Sequence, residues 1–338
     1  MSADLAALGI HRIPIPIPFP QAGGPVNVYA VEDADGGLLL VDSGYGSDEA
    51  TAALAAGFAA AGLRLEDVRR IVITHGHVDH FGGATFVLER AGRDVPVAAH
   101  PADLPKMIEG GPRWRDLAPR YGAHLVRLGV PAEHLAAIAD EGEKGFRSRR
   151  IPAVQPLSPG ARLRTRHLEL EVLHMPGHTP GLVCLLDRAR GILFSNDHLL
   201  ERISPNPLME LGPDGEDGFF RPLLAYLEST ARTRALELNA VLPGHGPPFG
   251  GHRAVIDTLV GFYARRQERL LALLGDAPRA PFELAGLLFR SARPGDTFLV
   301  LSEVMANLEV LEARGAIARE ERDGVRRYAR TSGTLPAP

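Results

Sequence analysis

The run THGHVDH places His75, His77, Asp79 and His80 at the end of an apolar segment, Val68 to Thr74. That segment predicts a β-strand. Histidines two apart on an extended backbone point the same way, so His75 and His77 can converge on one metal ion. Asp79 and His80 follow in the turn and can reach a second. Imidazole nitrogen and carboxylate oxygen together suit zinc, manganese or iron. Three more segments offer ligands: His178 in HMPGHTPG, Asp197 in SND and His245 in PGHG. Each follows an apolar strand, so these groups can meet at one edge of a sheet.

Strands and helices must carry them there. VNVYAV (Val26 to Val31) and GLLLVD (Gly37 to Asp42) flank the turn-rich EDADGG and read as a hairpin. Ser47 to Ala61 is Ala-rich and reads as a helix, with Ser47 or Asp48 as N-cap and Gly62 as its stop. A helix is expected from about Gly82 to Arg90, then a short strand, VPVAA. Strands resume at His167 to Met175, Leu182 to Asp187 and Gly191 to Asp197. A helix fits Phe219 to Leu236, and Ala240 to Gly246 is a last strand running into a loop.

Residues 102–148 are helical in pattern and longer than an ordinary connection, so they read as a helical insertion. After Gly251 come a long helix (about Ala254 to Leu274), two more helices and a two-stranded hairpin. That is the order of a small winged-helix module. The expected division is a catalytic domain over 1–252, a winged-helix-like domain over 253–332 and a disordered tail at 333–338.

Composition narrows the function. The chain has 338 residues, with 37 Lys+Arg against 41 Asp+Glu and a net charge of −4. A strongly basic nucleic-acid binder is disfavoured. The single cysteine, Cys184, excludes an internal disulfide framework and a Cys-rich zinc module, and it fits a reducing compartment. It alternates within a strand and reads as a small buried hydrophobe. MSADLAALGI lacks a basic leader, and Pro14, Pro16, Pro18 and Pro20 interrupt the apolar stretch after it. No run approaches the roughly 18–20 apolar residues of a membrane span. The expectation is a cytoplasmic protein without a membrane partner.

The order HxHxDH, GHTPG, Asp, PGHG, with the early Asp42 in VDSG, closely resembles the metallo-β-lactamase superfamily over about residues 10–250. The resemblance implies an α/β architecture of αββα type: two face-to-face sheets with helices outside and metals at one edge. By position, it implies that His75, His77 and His178 hold one metal. Asp79, His80 and His245 would hold the other, with Asp197 bridging. Two divalent ions, zinc first and manganese or iron as options, would lower the pKa of a bridging water and supply hydroxide. Asp79 could orient that nucleophile and shuttle its proton. Asp42 is expected to accept a ligand imidazole N–H and fix its tautomer, with Thr74 and Thr179 in similar roles or simply in turns. The C-terminal pattern is similar to the subgroup that includes lactamase-like protein 2, an endoribonuclease.

Weaker candidates keep two readings. Tyr45 in DSGYG either donates a hydrogen bond to substrate or packs on its loop. His198 either lines the pocket or is structural. Trp114 and Met107 either cover the pocket or form the insertion's own core. His11, His100, His124, His134, His167, His174 and His252 show no ligand spacing.

The expected function is dinuclear metal-dependent hydrolysis of a carboxylic ester, thioester or lactone, with a small molecule as substrate. An Asp at the bridging position argues against antibiotic hydrolysis, and the tail is unlike the glutathione-binding domain of glyoxalase II. The alternative is a phosphodiesterase or endoribonuclease acting on single-stranded RNA. Against it, the third C-terminal helix (Thr297 to Arg314) carries Glu303, Glu309 and Glu312, although the wing holds Arg322, Arg326, Arg327 and Arg330. Phe298, Leu301, Met305, Leu308 and Leu311 read as core or as a homodimer surface. A vestigial regulator and a mononuclear-iron sulfur dioxygenase are the other classes.

Overall fold

The computed structural model describes residues 5–19, 23–109, 111–145, 150–210, 218–275, 277–291 and 293–331. The expected tail at 333–338 and the side chain of Trp114 lie outside the described residues. The chain divides into two compact units: Met1–Gly110, Ser148–Pro205 and Glu228–Ile256 form one, and Gly111–Arg147, Asn206–Leu227 and Asp257–Pro338 the other. Among the described residues, no helix is long and apolar enough to cross a membrane.

The first unit holds two sheets. One has six strands in chain order: β1 (Ile10–Ile15), β2 (Val26–Glu32), β3 (Leu38–Val41), β4 (Val68–Val72), β5 (Val97–Ala99) and β6 (Gln155–Pro156). The other has five: β7 (Arg162–Arg164), β8 (Glu169–His174), β9 (Val183–Asp187), β10 (Ile192–Asn196) and β11 (Ala240–Pro243), ordered β11-β10-β9-β8-β7. Strands alternate their side chains between two buried faces. On β3, Leu39 and Val41 join a core with Val172, Val183, Leu185 and Phe194 of the second sheet. Leu38 and Leu40 face the other way, against Leu54 and Phe58 of α1 (Asp48–Ala60) and Val87 of α3 (Ala84–Ala91). On the second sheet, Val183 and Leu185 face inward, while Cys184 and Leu186 face Leu236 and Leu238. Every central strand is therefore apolar on both faces, the condition for sheets packed face to face with helices outside.

Local chemistry explains the boundaries. Ser47 Oγ caps α1 by accepting from Ala50 N at 3.2 Å, and Gly62 takes the left-handed conformation that ends it. The proline-broken opening is a strand after all: Pro14 pairs opposite Asn27 in β1. A strand at the sheet edge tolerates a missing N–H, which is how β1 accommodates its proline. The turn that carries Asp79 and His80 is a short helix, α2 (Val78–Phe81).

The second unit is built from α5 (Gly111–Arg127), α6 (Ala132–Gly145), most of α8 (His252–Leu274), α9 (Pro281–Leu288), α10 (Thr297–Ala313) and the hairpin β12 (Ile317–Arg322) with β13 (Val325–Arg330). Between α6 and α8, α7 (Pro222–Arg234) contributes residues to both units. Leu125, Leu128 and Ile138 share one core with Leu270, Leu284, Leu301, Met305, Leu308, Leu311 and Tyr328. The segment expected as an insertion in the catalytic domain thus has two fates. The described helices of residues 111–145 pack into this second core, because amphipathic helices need an apolar partner. Met107 is instead fully buried in the core outside the first sheet. Leu301, Met305, Leu308 and Leu311 are core residues, and Phe298 packs against that core partly buried.

Candidate metal centre

The two parallel strands β3 and β4 set the floor of the site. They end side by side, so Asp42 N donates to Val72 O at 2.8 Å. Asp42 sits at a left-handed φ of 60°, which an Asp tolerates better than most residues. Its fully buried carboxylate accepts from Thr74 N (2.7 Å) and Thr74 Oγ1 (2.9 Å) on Oδ1 and Oδ2 respectively, and from His80 Nδ1 (2.7 Å). Thr74 Oγ1 spends its proton on Asp42, so it is left to accept from His75 Nδ1 at 3.2 Å. Asp42 thereby turns Nε2 of two histidines toward the site, one directly and one through a threonine.

Four histidines converge on Asp197. Its Oδ2 lies 3.4 Å from His178 Nε2, 3.5 Å from His80 Nε2, 3.5 Å from His245 Nε2 and 4.0 Å from His75 Nε2. Asp79 Oδ2 lies 3.5 Å from His245 Nε2 and 3.9 Å from His80 Nε2. The His77 ring stands 4.5 Å from that of His178 and 4.8 Å from that of His75. Three groups have ligand atoms within 4.8 Å of one another: His75, His77 and His178; His75, His80 and Asp197; Asp79, His80 and His245. Two triads therefore flank one carboxylate oxygen.

The loop after β11 delivers His245. Its Nδ1 donates toward Gly24 O and Pro25 O, both at 3.3 Å, which aims Nε2 inward. Gly244 is needed beside it, because a Cβ there would collide with Asp197 Oδ1. Asn27 braces the loop: its Nδ2 donates to Pro243 O (2.9 Å) and Gly246 O (2.7 Å) while Oδ1 accepts from Arg12 (3.0 Å). Tyr29 Oη donates to Pro243 O at 2.8 Å. These bracing residues escaped the sequence reading. The one clue was a polar Asn inside the otherwise apolar VNVYAV.

Electrostatics fit a cationic guest. Burial by itself would neutralise Asp197, yet His245 and His80, with hydrogen bonds from His178 and His245, hold it well below the usual carboxylate range. Burial opposes Asp79 too, and His80 and His245 keep its carboxyl low. Burial disfavours a charged His80, but Asp197, Asp42 and Asp79 lift its imidazole well above the ordinary value. Burial, then the neighbouring His80 and His77, push His75 well below it. Buried ionised carboxylates demand positive charge. His75 Nε2, His80 Nε2 and Asp197 Oδ1 are buried with no hydrogen-bond partner among the described residues. Buried polar atoms normally find partners, and divalent cations would supply them here.

Tyr45 and His198 belong to none of the three groups of ligand atoms. The Tyr45 ring packs edge-on against Phe19 at 5.5 Å and against the apolar core beneath it. His198 is fully buried and pairs its Nε2 with Thr233 Oγ1 at 2.7 Å. Of the other histidines, His100 stacks on His174 at 4.0 Å and His124 on Phe219 at 3.9 Å. His134 packs on Phe282, and His252 meets Leu236 O.

The family model of the metallo-beta-lactamase superfamily matches residues 22–245. The probable metallo-hydrolase YqjP of Bacillus subtilis is 32% identical over 311 residues, 90% of this chain and 93% of that protein. Human acyl-coenzyme A thioesterase MBLAC2 is 28% identical over 249 residues, 70% of this chain and 78% of its own. A metallo-beta-lactamase family protein of Thermus thermophilus superposes with a TM-score of 0.77 at 29% identity, covering 96% of this chain and 99% of its own. A beta-lactamase domain protein from Burkholderia ambifaria gives 0.80 at 28%, covering 96% and 92%.

Proposed function

Since the chain belongs to the metallo-beta-lactamase superfamily, we propose that it hydrolyses a carboxylic thioester, ester or lactone, thioesters first, using two divalent cations. The chain is a hydrolase of the metallo-hydrolase kind. The observation that carries the dinuclear reading is Asp197 Oδ2, within 4.0 Å of four imidazole nitrogens and flanked by two triads. His75, His77 and His178 would hold one ion, and Asp79, His80 and His245 the other, with Asp197 shared. Zinc is the proposed metal, since borderline nitrogen and hard oxygen donors suit it. When bound, such ions supply Lewis acidity that acidifies water and polarises the scissile carbonyl.

The chain's own groups do the rest. The Asp79 carboxylate takes the proton of the attacking water and returns it to the leaving sulfur or oxygen. Asp42 and Thr74 hold His80 and His75 in the tautomers that keep Nε2 facing inward. The net reaction adds water across the acyl bond and releases a carboxylic acid with a thiol or alcohol. Support for an acyl substrate comes from the thioesterase relative, whose similarity spans 70% of this chain.

The second unit's helices and hairpin we read as winged-helix-like. Two of the hairpin's arginines are engaged, while Arg322 and Arg330 are exposed: Glu320 and Glu321 stand opposite Arg327 and Arg326 in register. Arg326 is buried, and Arg327 pairs with Glu283 at 3.2 Å. The test is a panel on metal-loaded protein: a short acyl-coenzyme A, a lactone, an aryl ester, an aryl phosphodiester and a single-stranded RNA, with Asp79→Ala as control. Turnover of an acyl substrate, lost in the control, is the expected result. Cleavage confined to the phosphodiester or RNA would overturn it.

A further inference from the structure

Asp103 lies in the turn between β5 and a short helix, α4 (Leu104–Glu109), and its side chain is fully buried. Its carboxylate gathers four donors. Oδ2 accepts from Gly76 N at 2.9 Å and from Thr179 Oγ1 at 2.6 Å. Oδ1 accepts from Gly181 N at 3.2 Å and meets Lys106 Nζ at 3.2 Å. Gly76 stands between His75 and His77, and Thr179 and Gly181 follow His178. A single carboxylate therefore fastens Gly76, which separates His75 from His77, to the loop that follows His178. Of the second triad, Asp79 and His80 lie three and four residues beyond Gly76 in the same run, and His245 lies on another loop. The approach is close: a Cβ at Gly181 would lie 2.7 Å from Asp103 Cγ. His174 reinforces the same loop, with Nε2 donating to Pro180 O at 2.8 Å.

We propose that Asp103 is a positioning residue that preassembles the His75, His77, His178 triad and so sets the hold on one ion of the pair. The proposal rests on the metal reading above and is independent of which substrate is cleaved. The physical reason is entropic and geometric. Three imidazoles from loops about a hundred residues apart bind one ion tightly only if the loops are already fixed. Charge-assisted hydrogen bonds to backbone N–H groups fix them without occupying a ligand position. Lys106 supplies the compensating charge, so the carboxylate does not draw on the cations.

The experiment follows metal retention in zinc-loaded protein challenged with increasing chelator, with the visible absorption of the cobalt-substituted form as a second readout. Asp103→Asn keeps the size but loses a full acceptor oxygen, and Thr179→Val removes one of the four donors. Asp103→Asn is expected to release one equivalent at about 10–100-fold lower chelator, the other keeping its wild-type midpoint. Thr179→Val should shift the same equivalent in the same direction by less. If Asp103→Asn does not fold, Thr179→Val decides alone. Wild-type midpoints in the folded variants, or both equivalents leaving together, would overturn the assignment. Wild-type protein that retains no divalent metal would overturn the metal reading itself, and this one with it.

Discussion

Nδ1 of His80 donates to Oδ2 of Asp42 across 2.7 Å, and neither side chain is exposed to solvent. The same carboxylate takes the backbone N–H and hydroxyl of Thr74, whose oxygen in turn faces His75 Nδ1. One aspartate thus orients an imidazole from each triad. It cannot touch substrate, since it sits behind the candidate ligands and is fully buried. Its work is to position.

Asp42→Ala is expected to weaken metal retention about 10–100-fold. It also strips a buried partner from His80 and puts Ala at a φ of 60°, so the metal-free protein should lose about 3–5 kcal/mol. Asp42→Asn keeps the left-handed backbone comfortable and should recover part of that stability without recovering the metal. Chelator competition and urea denaturation of both variants check this. Wild-type metal retention in Asp42→Ala would refute the role.

Asp79→Ala and His77→Ala should abolish turnover while leaving the fold intact. Loss of a proton-transfer group by itself costs about 100–10,000-fold in rate. Circular dichroism and a thermal melt report the fold, and initial rates on the acyl substrate report the chemistry. Wild-type-like rates in either variant would remove that residue from the site.

Gly244→Ala changes no ligand, yet the added methyl would strike Asp197 Oδ1 and crowd His80 Cε1 at 3.0 Å. The expected outcome is a folded protein with reduced metal content and little activity. Metal analysis after gel filtration measures it. A full complement of metal in this variant would show that the backbone approach is not needed.

Leu128→Ala tests the composition of the second unit. Leu128 is fully buried in the core it shares with the C-terminal helices. Truncation should cost about 2–5 kcal/mol. An exposed side chain would cost next to nothing, so a loss under about 0.5 kcal/mol in urea denaturation would contradict the shared core.

The candidate ligands were legible because metal chemistry depends on residue type and local spacing. His75, His77, Asp79 and His80 lie within six residues, and His178, Asp197 and His245 each sit in a short turn after an apolar run. The strands that carry them were legible for a related reason, since burial on both faces writes itself into continuous apolar runs. β1 was not, because Pro14 and the prolines that follow mask a strand that its place at the sheet edge permits.

What the tertiary structure decided is everything that depends on distance through space. Asp103 is 27 residues from Gly76 and 76 from Thr179. Asn27 is 219 residues from the Gly246 carbonyl it holds. No spacing rule connects such pairs, because their contact is created by two sheets packing face to face and bringing loop ends together. The same holds for residues 111–145. Their helical pattern was plain in the sequence, but which apolar surface they would cover was settled only when Leu125, Leu128 and Ile138 met the core of the second unit. Local sequence specifies what each segment can offer. The packing of distant segments decides which offers meet.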